Sequence, residues 1–282
     1  MISISLAHND VLSLLPDRLP DTHKGDYGKI LLICGSRGYT GAAALATMGA
    51  LRSGAGLVYL AVPESIYEIE ATKLWEPVIT PLVDVDGKLS VDVCDQLTFL
   101  MNDKDAILIG PGLGQSEGVR CAVQKVLKDF TGPVVVDADG INALAQHKDI
   151  LRGRTSPTIL TPHAGEFARI ADRISGDRVK DAMKFAADYG VILLLKGHKT
   201  IITDGNTLYI NTTGNPGMAV GGSGDVLAGI ITSLIGQGIA PLEAAACGAW
   251  LHGAAGDLCA AEIGQYGMLP TDMLHALPRL MK

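Results

Sequence analysis

Short runs of aliphatic and β-branched residues alternate along this chain with longer stretches of helical periodicity. The short runs predict strands at Lys29–Cys34, Leu57–Val62, Ala106–Ile109, Pro133–Asp137, Thr158–Leu160 and Val191–Lys196. The longer ones predict helices over Gly41–Ser53, Glu117–Phe130, Asp177–Tyr189, Ser223–Gln237 and Pro241–Ala261. Strand, turn and helix repeat in that order, which gives an α/β fold with a mostly parallel sheet covered on both faces. Thr200–Thr203 and Thr207–Ile210 flank Asp204-Gly205-Asn206, a hairpin signal that adds an antiparallel edge. Between Pro63 and Leu100 the pattern breaks up around Pro77, Pro81 and Gly87, and the segment reads as an insertion or a lid. No internal repeat, low-complexity tract or linker divides the chain, so residues 1–282 are read as one domain.

Composition supports that picture. The chain is 48% hydrophobic but only 5% aromatic, with 34 Gly, which suits a parallel sheet joined by tight glycine turns. Its net charge is −7 and no Lys/Arg-rich run occurs, so the electrostatic footprint of a nucleic-acid binder is missing. Phosphates remain possible ligands, held by backbone N–H groups and one or two lysines. The five cysteines are scattered without a CxxC pair, as reduced thiols of a cytoplasmic protein are, not a disulfide framework or a zinc site. No apolar stretch is long enough to span a bilayer, and Met1–Pro20 lacks the pattern of a leader, so a soluble protein is expected.

Glycine-rich turns at strand ends are where α/β proteins bind phosphates, because open N–H groups converge there. Gly35-Ser36-Arg37-Gly38-Tyr39-Thr40-Gly41 is spaced GxxGxxG, not GxGxxG. The next strand ends Ala61-Val62-Pro63 without the acidic residue of a dinucleotide fold, and Glu64 falls past it. A substrate-contacting loop and a plain turn both fit. Gly110-Pro111-Gly112-Leu113-Gly114 admits the same two readings. Gly221-Gly222-Ser223-Gly224-Asp225 is more informative. Its glycines expose successive amides where a helix begins, and the helix adds roughly half a positive charge there. A plain N-cap would account for Asp225 but not for three glycines among the four residues before it. No Walker A loop occurs: neither Gly28-Lys29-Ile30 nor Gly197-His198-Lys199-Thr200 has its pattern.

Other polar groups gather at predicted strand ends. Lys196-Gly197-His198-Lys199-Thr200 fits a negatively charged ligand or a solvated turn. Asp137 and Asp139 fit substrate orientation, water-mediated Mg²⁺ binding or, for Asp139, an N-cap. His163 and Glu166 share one strand-to-helix turn, with His163 the better substrate contact. His252 and Asp257 lie in a small-residue helix and read as packing. HExxH, GxSxG and paired Cys/His patterns are absent, so no metal-ligand residues are assigned.

In this order, Asn215-Pro216-Gly217-Met218-Ala219 followed by Gly221–Asp225 resembles the signature of the ADP/ATP-dependent NAD(P)H-hydrate dehydratases. The resemblance extends through Lys24–Gly28, the two earlier glycine loops, Val136–Leu144, Leu160–Phe167 and Lys196–Thr200, nearly the whole chain. It implies a ribokinase-like three-layer α/β/α sandwich. It further implies a repair reaction that removes water from hydrated NADH or NADPH at the expense of ADP or ATP, with Mg²⁺. By matching positions, Lys196, Gly197, His198, Lys199, Thr200, Gly222 and Gly224 would contact the nucleotide. Ala42, Gly112, His163 and Asp225 would contact the hydrated dinucleotide, with Asp225 as catalytic base. A separate epimerase, a homo-oligomer (a tetramer) and a cytoplasmic location are implied as well. A small-molecule kinase of the same fold and a non-catalytic nucleotide sensor are the rival readings.

Overall fold

Successive residues of the first strand point to opposite faces, and both faces are buried. In the computed structural model, which describes residues 3–282, Ile30 and Leu32 enter one hydrophobic core while Leu31 and Ile33 enter another. Such a strand needs a helical layer on each side. Met1, where the segment tested as a leader starts, lies outside the described residues.

The strands are β1 (Lys29–Ile33), β2 (Leu57–Pro63), β3 (Val78–Leu82), β4 (Asp84–Val85), β5 (Lys88–Leu89), β6 (Ala106–Ile109), β7 (Val134–Val136), β8 (Thr158–Leu160), β9 (Ile192–Leu195), β10 (Ile201–Thr203) and β11 (Leu208–Ile210). The helices are α1 (His8–Leu14), α2 (Thr40–Arg52), α3 (Tyr67–Lys73), α4 (Val93–Leu100), α5 (Glu117–Asp129), α6 (Asp139–Leu144), α7 (Ala164–Ile170), α8 (Arg178–Tyr189), α9 (Ser223–Gly236), α10 (Pro241–Glu262) and α11 (Pro270–Ala276). Nine strands make one sheet in the order β11-β10-β9-β8-β7-β6-β1-β2-β3. From β3 across to β9 all neighbours are parallel, and β10 is antiparallel to both β9 and β11. The antiparallel edge expected around Gly205 is therefore present. One core is shared with α2, α9, α10 and α11, the other with α4, α5, α7 and α8. The result is a three-layer α/β/α sandwich.

The segment 63–100 is not an insertion. β3 extends the sheet beyond β2 in parallel register, α3 packs on α2, and α4 packs on α5. Only the β4–β5 hairpin stands apart from the main sheet. Pro81 is compatible with β3 because the strand is at the sheet's edge, where a missing N–H leaves no partner unsatisfied.

Topology then dictates where a ligand fits. The chain lays down β1, β2 and β3 in one direction and β6 to β9 in the other, so the strand order reverses between β1 and β6. The carboxyl ends of two such strands are where an open α/β sheet takes its ligand. The loops here are Gly35–Gly41 and Gly110–Gly114.

α9 is apolar nearly all round, as a helix buried in the middle of a layer should be. Two glycines let it approach α2 closely. A Cβ on Gly229 would lie 2.0 Å from the Ala46 carbonyl oxygen, and one on Gly49 would lie 2.5 Å from that of Val226. This backbone contact fixes the start of α9 over the carboxyl edge of the sheet.

Candidate active site

The two glycine loops are joined to each other. The Gly35 amide donates to the Pro111 carbonyl at 2.8 Å, and Ser36 Oγ donates to the Gly112 carbonyl at 2.7 Å. Gly112 has φ +63°, and a Cβ there would fall 2.7 Å from Ala42 Cβ. Two residues assigned to the dinucleotide, from turns after β1 and β6, thus face one another. The Gly114 amide donates to Asp139 Oδ2 at 2.8 Å. Asp139 is not the N-cap of α6, a position held by Ala138 at φ 49°. Its carboxylate clamps the glycine loop instead.

At the start of α9, the N-cap Gly222 has φ 94°, in the left-handed region open to glycine, and a Cβ would strike Leu45 Cδ1 at 2.3 Å. The Ser223 amide turns back to the Val220 carbonyl at 3.3 Å, and the Val226 amide donates to Gly222 at 3.2 Å. The Gly224 and Asp225 amides between them have no backbone acceptor among the described residues. Free amides at a helix N-terminus suit an anion. Asp225 is half-buried. Burial, and then the Asp137 carboxylate, raise its pKa to about 7, with Asp139 and Glu166 adding to the rise and Lys196 opposing it. A carboxyl so placed is poised to take up a proton near neutral pH.

Lys196, the residue after β9, does not extend freely into the turn. Its Nζ lies 2.9 Å from Oδ1 of the buried Asp137, which also accepts from Thr161 Oγ1 at 2.7 Å. Burial works to lower the ammonium's pKa, but Asp137 and Glu166 outweigh it and raise it. The turn itself is braced from outside by Arg178, whose guanidinium donates to the carbonyls of His198 (3.0 Å), Lys196 (3.3 Å) and Leu195 (3.4 Å). Lys199 holds φ 55°, an uncommon backbone for a side chain of its size.

A cavity of about 940 Å³ opens between this turn and the start of α9. Lys196, Gly197, His198, Lys199, Thr200, Ser223, Gly224 and His163 all line it. Its volume is in the range of pockets for drug-sized ligands. Ala42, Gly112, Gly222 and Asp225 are not on its wall. Asp225 follows Gly224 in the first turn of α9 and is charge-coupled to Asp137 and Asp139, which in turn holds the Gly114 amide. The first turn of α9 therefore borders the cavity through Ser223 and Gly224 and is coupled by charge to the carboxylate that holds the second glycine loop.

His163 caps α7. Its Nδ1 accepts the amides of Gly165 (3.0 Å) and Glu166 (3.3 Å), while Glu166 Oε2 accepts the His163 amide at 2.9 Å. The neutral ring then carries its proton on Nε2.

His252 and Asp257 do more than pack. His252 lines the cavity with Nε2 3.2 Å from Ser223 Oγ, and burial pushes its pKa down to about 4. Asp257 accepts the Gly214 amide (2.8 Å) and Asn215 Nδ2 (3.0 Å), and so shapes the cavity's far rim. Asn211, Thr213 and Asn215 complete that rim; the only sequence signal for it was the Asn215-Pro216-Gly217 run. Among the described residues, no group of three or more His, Cys, Asp or Glu side chains is gathered to hold a metal ion. Asp137, Asp139 and Asp257 already have hydrogen-bond partners.

The family model described as NAD(P)H-hydrate dehydratase matches residues 30–279. The bifunctional NAD(P)H-hydrate repair enzyme of Moorella thermoacetica is 46% identical over 277 residues, which cover 96% of this chain and 52% of that protein. The corresponding enzyme of Escherichia coli is 39% identical over 274 residues, 95% of this chain and 50% of that one. The chain thus spans about half the length of the curated relatives it matches. Among solved structures, the ADP/ATP-dependent NAD(P)H-hydrate dehydratase from Bacillus subtilis, co-crystallised with ATP/Mg²⁺, superposes with a TM-score of 0.85 at 34% identity. That match covers 97% of this chain and 96% of the other.

Proposed function

The chain belongs to the NAD(P)H-hydrate dehydratase family, and from that membership we propose that it restores NADH and NADPH from their C6 hydrates, converting ADP to AMP and phosphate. Residues 1–282 act as one dehydratase domain in this reading. One observation carries it. Asp225, a carboxyl raised to about 7, sits beside acceptor-free amides in the turn of α9 that borders the nucleotide-sized cavity, and is coupled by charge to the carboxylate that holds the second glycine loop.

The nucleotide enters along Lys196–Thr200, with its terminal phosphate toward Gly222 and Gly224. The hydrated nicotinamide lies against Ala42, Gly112 and His163. Asp225 accepts the proton of the C6 hydroxyl as that oxygen attacks the terminal phosphorus, and AMP departs. The Gly224 and Asp225 amides and the Lys196 ammonium stabilise the charge on the transferring group. The ring nitrogen's lone pair then expels phosphate from C6, and loss of a proton from C5 restores the ring double bond. Phosphorylation serves to turn hydroxide, a poor leaving group, into a good one.

Magnesium enters as the magnesium nucleotide, consistent with the ATP/Mg²⁺ of the Bacillus subtilis structure and with the absence of a protein-only ligand cage among the described residues. The bifunctional names of the longer relatives support an epimerase as functional partner. A homotetramer and a cytoplasmic site of action complete the proposal. Exposed apolar side chains such as Trp75 and Phe99 support self-association, and five free cysteines suit a reducing compartment. No helix among the described residues is long and apolar enough to cross a membrane.

The test is incubation with hydrated NADH and ADP or ATP, following return of the reduced-nicotinamide absorbance. A kinase of the same fold would instead leave a stable phosphorylated product and no such return.

A further inference from the structure

Three adjacent parallel strands, β7, β8 and β9, are each followed by a polar residue, and those residues form one hydrogen-bonded chain that runs from the buried Thr161 and Asp137 to Lys196 on the cavity wall. Thr161 Oγ1 donates to Asp137 Oδ1 at 2.7 Å, and Lys196 Nζ donates to the same oxygen at 2.9 Å. The Asp137 side chain is only 2% exposed. Lys196 Nζ also lies 3.2 Å from where a Cβ would stand on Gly224. The ammonium is thus pressed against the first turn of α9, beside the helix's positive end, where an unpartnered cation would be unfavourable. Asp137 compensates for this, although the residue does not line the 940 Å³ cavity.

We propose that Asp137 is a positioning residue that acts through Lys196: it holds the ammonium at the start of α9 for the arriving phosphate, and it adds its negative charge to the surroundings of Asp225. The proposal rests on the reading of Asp225 as base and of Lys196–Thr200 as the nucleotide turn.

The charged groups that act on Asp225 come from four elements. Asp137 follows β7, Asp139 opens α6, Glu166 lies on α7 and Lys196 follows β9. Cys34, buried after β1, is a neutral thiol whose pKa is raised by burial and then by Asp225. Of the three carboxylates, Asp137 raises Asp225 most, and Lys196 is the one cation that lowers it. Asp137 is the carboxylate that hydrogen-bonds the ammonium, at 2.9 Å, while Asp225 feels Lys196 through its charge alone.

Asp137→Asn removes the charge and keeps an acceptor for Thr161, while Lys196 loses its counter-ion. Asp225 must be ionised to accept a proton, so the acidic limb of the kcat–pH profile tracks its pKa. In Asp137→Asn that limb moves to lower pH, by on the order of one unit, and ADP affinity measured by calorimetry falls about tenfold as Lys196 leaves its place. In Lys196→Met the limb moves the opposite way, to higher pH. A merely structural role would leave both limbs where the wild type has them.

The experiment compares the two variants with the wild type and with Asp225→Asn, each checked for folding by circular dichroism. Opposite displacements of the limbs support the proposal. A limb for Asp137→Asn that coincides with the wild type or moves upward overturns it. Should that variant fail to fold, Lys196→Met decides alone, and an unmoved or lowered limb overturns the proposal. Full turnover in Asp225→Asn would instead sink the base assignment itself, and with it the claim about the charge around Asp225. The ADP affinity of Asp137→Asn would still decide whether Lys196 is placed by Asp137.

Discussion

Gly112 and Ala42 face each other so closely that a methyl group on Gly112 would come within 2.7 Å of Ala42 Cβ. Neither residue has polar side-chain chemistry, yet both sit at the strand-order reversal, and their small size keeps the carboxyl edge open there. Gly112→Ala introduces that clash and places alanine at φ +63°. The expected outcome is a loss of about 1–2 kcal/mol of stability and a sharp rise in KM for the hydrated dinucleotide. ADP affinity, set at the Lys196–Thr200 turn, should stay within about twofold. Titrating the two substrates separately checks this.

Arg178 donates to the carbonyls of Leu195, Lys196 and His198, where β9 runs into the Lys196–Thr200 turn, without lining the cavity. Arg178→Met should raise the KM for nucleotide about tenfold, equivalent to ~1.4 kcal/mol. At saturating nucleotide, kcat should change by no more than about twofold. Steady-state kinetics at fixed hydrated NADH separates the two effects.

His163 has two duties on opposite ring nitrogens. Nδ1 caps α7, and Nε2, 3.5 Å from Glu166 Oε1, belongs to a ring on the cavity wall where a ligand can reach it. Asn is also a good N-cap, so His163→Asn should lie within ~0.5 kcal/mol of wild-type stability. Its KM for hydrated NADH should nevertheless rise, because the Nε2 donor is gone. Thermal melts and KM measured on the same preparation give the answer.

How much of this was readable in the sequence depended on range. The strand-to-turn units, the antiparallel edge at Gly205 and the opening of α9 are local patterns, and each predicted boundary falls within a few residues of the observed one. β3 was missed because Pro77 and Pro81 interrupt its pattern, and nothing local says that the strand is at an edge, where proline is tolerated. The Asp137–Lys196 pair joins residues 59 positions apart; it becomes visible only once β7 and β9 are known to flank β8. His252 looked like packing because α10 is almost entirely small and apolar. Its partner Ser223 is on a different helix. Asp139 looked like a cap because it opens α6, yet its oxygen faces a loop that folds in from β6.

Asp225→Asn links function to stability. In the folded protein the carboxyl keeps its proton up to about pH 7, against an ordinary value of 3.8. Between those limits the folded state binds more protons than the unfolded one, so the stability contributed by this group falls as pH rises. Above pH 7 the wild type bears the full cost of a half-buried charge, and asparagine does not. At pH 8 the variant should therefore be the more stable, by on the order of 2 kcal/mol after allowing for solvent screening. Near pH 4 the two should converge. Denaturant melts at both pH values measure the difference.

The catalytic role of Asp225 is tested most directly by single-turnover conversion of hydrated NADH with ADP, comparing Asp225→Asn with the wild type at matched nucleotide occupancy. The predicted result is unchanged ADP binding with a loss of ~10²–10⁴ in the rate at which the reduced-nicotinamide absorbance returns. Conversion at the wild-type rate by the variant, with ADP bound, would contradict the assignment of Asp225 as the base.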